Sequence, residues 1–146
     1  MYPGLLHAHN GFRWLVLIFL VFAVFLAISG WASKRSWNKA DNLVGLILVI
    51  FMDIQFLLGL VLYAFVSPIT KAAFADFGAA MKNSDLRFYL VEHFLMMFIA
   101  LILVHIGRRK SKKKAVAWKK YKPATIFYSI ALLLILAAIP WDRALF

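Results

Sequence analysis

Histidine, arginine and glutamate side chains stand at the beginnings of two apolar segments. His7, His9 and Arg13 lie in "LLHAHNGFRW", directly before the first apolar run, and Glu92 and His93 lie early in the third. Such a set can hold a haem iron, a quinone headgroup, or a metal ion with nitrogen and oxygen ligands. Because the chain has no cysteine, disulfides, thiolate zinc sites and iron–sulfur clusters are excluded.

Two further polar residues lie inside the second apolar run. A charged residue such as Asp53 costs at least about 2.5 kcal/mol at mid-membrane, so we expect it to contact another helix or an internal water. Its role is either a hydrogen bond between helices or proton handling. Gln55 begins a stripe that continues at Gly59 and Tyr63 with helical spacing. His105 has no evident histidine partner at its depth, and we expect it to be structural.

Four apolar segments position these residues. They cover 14–32, 43–66, 88–107 and 124–141, and each is close to the roughly 20 residues needed to cross a bilayer. Hydrophobic residues make up 64% of the chain, whereas a soluble domain is typically about half apolar. The first run is too long for a signal peptide and is expected to remain in the mature chain. The sequence predicts an all-α, integral membrane four-helix bundle, with 1–146 as a single transmembrane domain.

Boundary residues accompany these segments. Asp41 and Asn42 are suitable caps for the start of the second helix. Ser67-Pro68 is expected to end that helix, and Pro140 to end the fourth. The connection 67–85 contains "KAAFADFGAAMK", whose helical character suggests a segment lying on the outer membrane surface.

Basic residues are distributed unequally between the two sides of the predicted bundle. The net charge is +11, and twelve of the 17 Lys and Arg residues lie in 33–42 and 108–122. The positive-inside rule makes these segments cytoplasmic, so both termini are expected on the extracytoplasmic side. The basic loop should contact anionic lipids. Because this charge is concentrated beside apolar runs, we do not expect a nucleic-acid partner.

Helix direction and spacing predict that two of the histidines meet. The first and third helices begin on the same side, and each carries a stripe with small residues suited to helix packing. These stripes are His9, Val16, Ala23, Ala27 and Gly30 in the first helix, and His93, Met97, Ala100, Val104 and Gly107 in the third. His7 lies about 200° around the helix from His9, so only one of them can point inward. We expect His9, or His7 in its place, to face His93.

Several motifs resemble a known family. "LHAHNGFRW", "DIQFLLGLVLY", "RFYLVEHF", the "GRRKSKKK" loop and the late "IPW" are similar to short bacterial membrane proteins with four helices that are commonly called cytochrome B. The resemblance covers most of the chain and implies a b-type haem and a place in electron transfer. It selects the following residues: His7, His9, Gly11, Arg13, Asp53, Gln55, Glu92 and His93.

The leading interpretation is a multi-pass protein of the bacterial cytoplasmic (inner) membrane that serves respiratory or quinone-linked electron transfer. Haem b would lie near the outer face between His9 and His93, with His7 as the substitute for His9. Arg13 would pair with Glu92 or with a haem propionate. Quinone is a further candidate ligand, and other respiratory membrane subunits are candidate partners.

Two alternatives use the same residues differently. The chain is also of a suitable size for a cofactor-free accessory subunit of a larger membrane complex. Alternatively, His7, His9, Glu92 and His93 could form a non-haem metal site on the outer side. The sequence contains no Gly-flanked nucleophilic serine and no Gly-rich phosphate loop, so nothing in it assigns an enzymatic reaction.

Overall fold

The computed structural model describes residues 1–141, which form helices and their connections without a strand. The helices are α1 (Tyr2–Ala32), α2 (Lys39–Val61), α3 (Pro68–Ala75), α4 (Phe77–Lys82), α5 (Ser84–Arg87), α6 (His93–Lys112) and α7 (Tyr121–Ala138). Wider π-type turns at Leu62–Val66 and Phe88–Glu92 extend α2 and lead into α6, and a 3₁₀ turn at Ala117–Lys120 leads into α7.

Four helical segments within the described residues are long and apolar enough to cross a membrane. They cover Tyr2–Ala32, Lys39–Val66, Ser84–Lys112 and Ala117–Ala138. Helix α1 packs against α2 and α7, and α6 packs against the same two helices. Helices α1 and α6 therefore lie diagonally across a four-helix bundle, and the predicted all-α architecture is confirmed.

Small residues allow the long helices to approach closely, as is typical where lipid gives no hydrophobic drive for helix association. The buried members of the two predicted stripes are Val16, Ala23, Ala27 and Gly30 in α1, and Ala100, Val104 and Gly107 in α6. A Cβ added at Gly107 would lie only 2.8 Å from Cβ of Phe127 in α7. The glycine is therefore required by the close contact between α6 and α7.

The bundle has two chemically different ends. We call the end where α1 begins and α2 ends the histidine end, and the end with the connections 33–38 and 113–116 the basic end. At the basic end, Arg35 binds both carboxylate oxygens of Asp41 at 2.7 and 3.0 Å. Tyr121 of α7 donates a 2.7 Å hydrogen bond to the same carboxylate. This cluster, in which Asp41 and Tyr121 are buried and Arg35 is partly exposed, ties the α1–α2 connection to α7.

The observed helix boundaries correct several predictions. Helix α1 begins at Tyr2, well before residue 14, with a proline in its first turn. The cap of α2 is Asn38, whose side chain accepts a 3.0 Å bond from the Asp41 amide, while the Asp41 carboxylate accepts a 2.9 Å bond from the Asn38 amide. The prediction that Asp41 and Asn42 are the caps was therefore wrong, since Asp41 takes the third helical position of a capping box.

The fourth long helix ends earlier than predicted. Helix α7 stops at Ala138, and Ile139 has extended dihedral angles of φ −75° and ψ 128°. Pro140 causes this because a proline disfavours helical geometry in the preceding residue. The connection from α2 to α6 is helical, as predicted, and forms α3, α4 and α5.

Candidate functional site

A cavity of about 380 Å³ opens at the histidine end, between the four long helices and α3. Its size falls in the range of small-molecule and cofactor sites. Most of its lining is apolar, with a few polar side chains among the aliphatic and aromatic ones. The polar residues in the lining are His9, Asn10, Arg13, Gln55, Tyr63, Ser67, Thr70, Tyr89 and His93, together with Tyr2.

His9 and His93 face each other in this cavity from the two diagonal helices. Their ring centres lie 6.4 Å apart, and the ring planes are inclined at 70°. The structure thus brings together the two histidines that sequence spacing placed at comparable depth. Side chains from facing helices are the usual means by which a four-helix bundle holds a cofactor or metal.

The orientation of His93 is fixed by a carbonyl group at the end of α7. Its Nδ1 lies 2.8 Å from the Ala138 oxygen, and because a carbonyl only accepts, Nδ1 must carry the proton. The lone pair of the neutral imidazole is then on Nε2. Ala138 is the last residue of α7, where carbonyls have no partner within the helix.

The ring of His9 lies against the backbone of α2. A Cβ added at Gly59 would lie 3.0 Å from Cε1 of His9, so glycine makes room for the imidazole. Gln55 donates a 3.0 Å hydrogen bond to the His9 carbonyl, and its amide nitrogen lies 3.4 Å from His9 Nε2. Nδ1 of His9 is buried and has no hydrogen-bond partner among the described residues.

Arg13 lies one turn further along α1 and also lines the cavity. Only 8% of the residue is exposed, although it carries a guanidinium group. The guanidinium lies over the ring of Trp14, with 5.5 Å between its carbon and the ring centre. The cavity wall thus contains a positive charge near the two imidazoles.

The π-type turns support the cavity from the side of α3. Tyr63 donates a 2.9 Å hydrogen bond to the carbonyl of Leu90, in the turn directly before His93. Thr70 of α3 donates a 2.8 Å bond to the carbonyl of Tyr63. These bonds satisfy carbonyls that the wider turns release, and they link α2 and α3 to the start of α6. Such turns often occur at functional sites.

Other candidate residues lie outside the cavity. His7 is exposed on the opposite side of α1, so the structure favours His9 as the inward histidine. Glu92 is 2.8 Å from Arg87, and this ion pair replaces the proposed pairing of Glu92 with Arg13. No group of three His, Asp or Glu side chains within residues 1–141 is arranged to hold a metal ion.

Asp53 and His105 form a separate pair between α2 and α6. Nε2 of His105 lies 2.7 Å from Oδ1 of Asp53, so Asp53 contacts another helix as expected. No histidine partner for His105 was evident from the sequence at its depth, and its partner in the structure is a carboxylate, Asp53. The sequence reasoning also missed Thr70 and the Ala138 carbonyl, because a hydrogen bond to a backbone oxygen leaves no mark on residue type.

Comparisons with protein-family models, curated proteins and solved structures found no match to this chain.

Proposed function

We propose that this chain is a b-type haem protein of the membrane that serves electron transfer, with His9 and His93 as the axial ligands. The observation that carries the proposal is the facing pair of imidazoles in a cavity of the bundle, one of them oriented by a carbonyl. Bound haem would supply a one-electron carrier whose potential depends on its ligands and surroundings.

The spacing of the two rings fits the proposed ligand role. A bond from iron to an imidazole nitrogen is about 2 Å long, as in other metal–imidazole bonds, and the ring centre lies about 1 Å behind that nitrogen. Two imidazoles on opposite sides of one iron would therefore hold their ring centres about 6 Å apart. The separation of 6.4 Å between His9 and His93 agrees with this value.

The hydrogen bonding of His93 also suits a ligand, and His9 has one buried ring nitrogen without a partner among the described residues. Metal-bound histidines usually donate their second ring N–H to a carbonyl or carboxylate. The bond from His93 Nδ1 to Ala138 has this form and leaves Nε2 to coordinate. In His9, Nδ1 is a buried nitrogen without a partner among the described residues, which is costly unless a ligand is present.

Arg13 would hold the carboxylate side of the haem. Its planar guanidinium can bind a propionate through two hydrogen bonds, and its burial would strengthen that interaction. The apolar remainder of the lining, including Val16, Met52 and Phe94, would exclude water from the macrocycle. Burial of this kind favours a stable redox site over a site open to solvent.

A quinone headgroup is the second candidate occupant of the same cavity. Oε1 of Gln55 and Nδ1 of His9 are both buried without a partner among residues 1–141. The amide oxygen accepts a hydrogen bond and a protonated ring nitrogen donates one, so together they can bind one hydroxyl group of the reduced, quinol form. Quinone-linked electron transfer remains compatible with either occupant.

We further propose that the histidine end faces the extracytoplasmic side of a bacterial inner membrane. The basic segments 33–42 and 108–122 support this orientation and would contact anionic lipids. Electrons would then be exchanged near the outer face, with other respiratory membrane subunits or quinone as partners.

The test is the reduced-minus-oxidised absorbance spectrum of the full chain, purified in detergent from cells supplied with a haem precursor. The proposal predicts the bands of a six-coordinate haem b, at about one haem per chain by pyridine extraction. Protein without haem after incubation with haemin would contradict it. Solvent extraction would then separate a quinone protein from a cofactor-free accessory subunit, and elemental analysis would detect a non-haem metal.

A further inference from the structure

The pair formed by Asp53 and His105 lies on the outer surface of the bundle, away from the cavity. Their side chains are 44% and 48% exposed, respectively, although both belong to membrane-spanning segments. Asp53 lies midway between the two ends of its 28-residue span, Lys39–Val66, so the pair lies deep in the span. Polar groups at this depth normally face a bundle interior or another protein surface.

Each member of the pair has a polar atom without a hydrogen-bond partner within residues 1–141. Nε2 of His105 and Oδ1 of Asp53 share one hydrogen bond, whereas His105 Nδ1 and Asp53 Oδ2 have no partner among the described residues. When the pair carries no net charge, one of these two atoms bears a proton and the other a lone pair. The pair is therefore complementary to a second copy of itself.

We propose that the face formed by α2 and α6 is the contact surface of a homodimer, with Asp53 of each copy hydrogen-bonded to His105 of the other. A two-fold axis along the membrane normal places α2 of one copy against α6 of its partner without changing their depth. His105 Nδ1 of each copy then forms a hydrogen bond with Asp53 Oδ2 of the other copy. This arrangement removes four unsatisfied polar atoms from lipid.

The surroundings of the pair fit this contact. Ile50 and Leu57 lie one turn before and after Asp53 on the same face of α2, and both are exposed. Ile102 and Phe98 continue the exposed face on α6, one and two turns from His105. Aliphatic and aromatic groups therefore surround a central polar pair, which fixes register much as polar residues do between other membrane helices.

Disulfide cross-linking in bilayers tests the geometry, because the chain contains no native cysteine. Positions 57 and 102 lie at comparable depth across the proposed contact. Two differently tagged chains, one carrying Leu57→Cys and the other Ile102→Cys, should therefore form a mixed cross-linked dimer. The matched control is Ile18→Cys with Leu133→Cys, which are exposed on α1 and α7 at the opposite face and lie at comparable depth, since each is twelve residues from the contact between Gly30 and Tyr121. Equal cross-linking of both combinations, or none in the first, would overturn the proposal.

The double variant Asp53→Leu/His105→Leu tests the role of the polar pair. It leaves no polar group unpaired in lipid, so the bundle should fold, as an unchanged unfolding temperature in detergent would verify. Single-molecule photobleaching in vesicles should show a monomer–dimer midpoint shifted about tenfold towards higher protein density. An unchanged midpoint, or a monomeric wild-type chain at high density in the membrane, would refute the self-pairing.

Discussion

Gly59 and His9 are in close contact, and the His9 ring would have to shift to accommodate a side chain at position 59. A Cβ at position 59 would lie 3.0 Å from Cε1 and 3.5 Å from Nδ1 of the imidazole. The absence of a side chain in α2 therefore sets where the His9 ring lies, and hence its distance from His93. This contact gives a way to move one imidazole without changing its chemistry.

Gly59→Ala should displace the His9 ring and lower the haem content of the purified protein. Overpacking of this kind typically costs about 1–3 kcal/mol. Gly11→Ala is the matched control at the same end of the bundle, since no atom of residues 1–141 lies within 4 Å of the Cβ that it would add. The measurement is haem per chain for both variants. Equal and full haem content would show that His9 does not need the space at Gly59.

Arg13→Gln should lower the midpoint potential of the haem. Removing a nearby positive charge favours the oxidised form, which carries one more positive charge than the reduced form. We expect a decrease on the order of tens of millivolts, where about 59 mV corresponds to a tenfold change for one electron. Redox titration against Arg109→Gln, which removes an exposed charge at the basic end, supplies the control. A rise in potential, or equal shifts, would contradict the placement of Arg13 beside haem.

Tyr121→Phe should destabilise the protein without changing its spectrum. The lost hydroxyl donates to the buried, ionised Asp41, and bonds to charged groups contribute about 1.5–3 kcal/mol. Tyr128→Phe is the control, because Tyr128 is equally buried in α7 but makes no hydrogen bond within the described residues. Unfolding in detergent should show the larger loss for Tyr121→Phe. The reverse order would mean that the cluster at the basic end does not stabilise the bundle.

A reporter fused to the C-terminus should be extracytoplasmic. The expectation follows from the twelve basic residues at one end of the bundle against five elsewhere. An enzyme that is active only outside the cytoplasm should therefore be active at this position, and inactive when inserted in the connection 113–116. The opposite pattern would invert the proposed orientation and place the histidine end inside the cell.

The sequence was sufficient to predict the bundle because lipid imposes simple rules on length and polarity. Apolar runs of bilayer length gave the four helices, and the period of small residues identified the packed faces of α1 and α6. The helical character of "HAHNGFRW" was harder to predict, because polar residues and one glycine interrupt the apolar pattern. The backbone nevertheless stays helical, since this satisfies its hydrogen bonds near the membrane.

The site was only partly predictable for a different reason. The depth of His9 and of His93 could be predicted from helix direction. Which side chains contact each other, however, depends on which helices are adjacent and which are diagonal in the bundle. The pairing of His105 with Asp53 was not predicted because the two residues lie on different helices, 52 residues apart in sequence. Their contact depends on how α2 and α6 are positioned along each other, which the sequence does not give. Glu92 forms an ion pair with Arg87, five residues before it, since pairing with a residue close in sequence costs less conformational entropy than pairing with a distant one.

The roles of His9 and His93 as haem ligands are tested by the reduced-minus-oxidised spectrum of His93→Ala, measured beside His9→Ala, His7→Ala and His105→Ala. All four variants lose one imidazole, but only His9 and His93 face each other in the cavity. We expect the six-coordinate haem spectrum to be lost in His93→Ala and His9→Ala, and to be fully retained in the other two. A wild-type spectrum in His93→Ala would show that His93 is not a haem ligand.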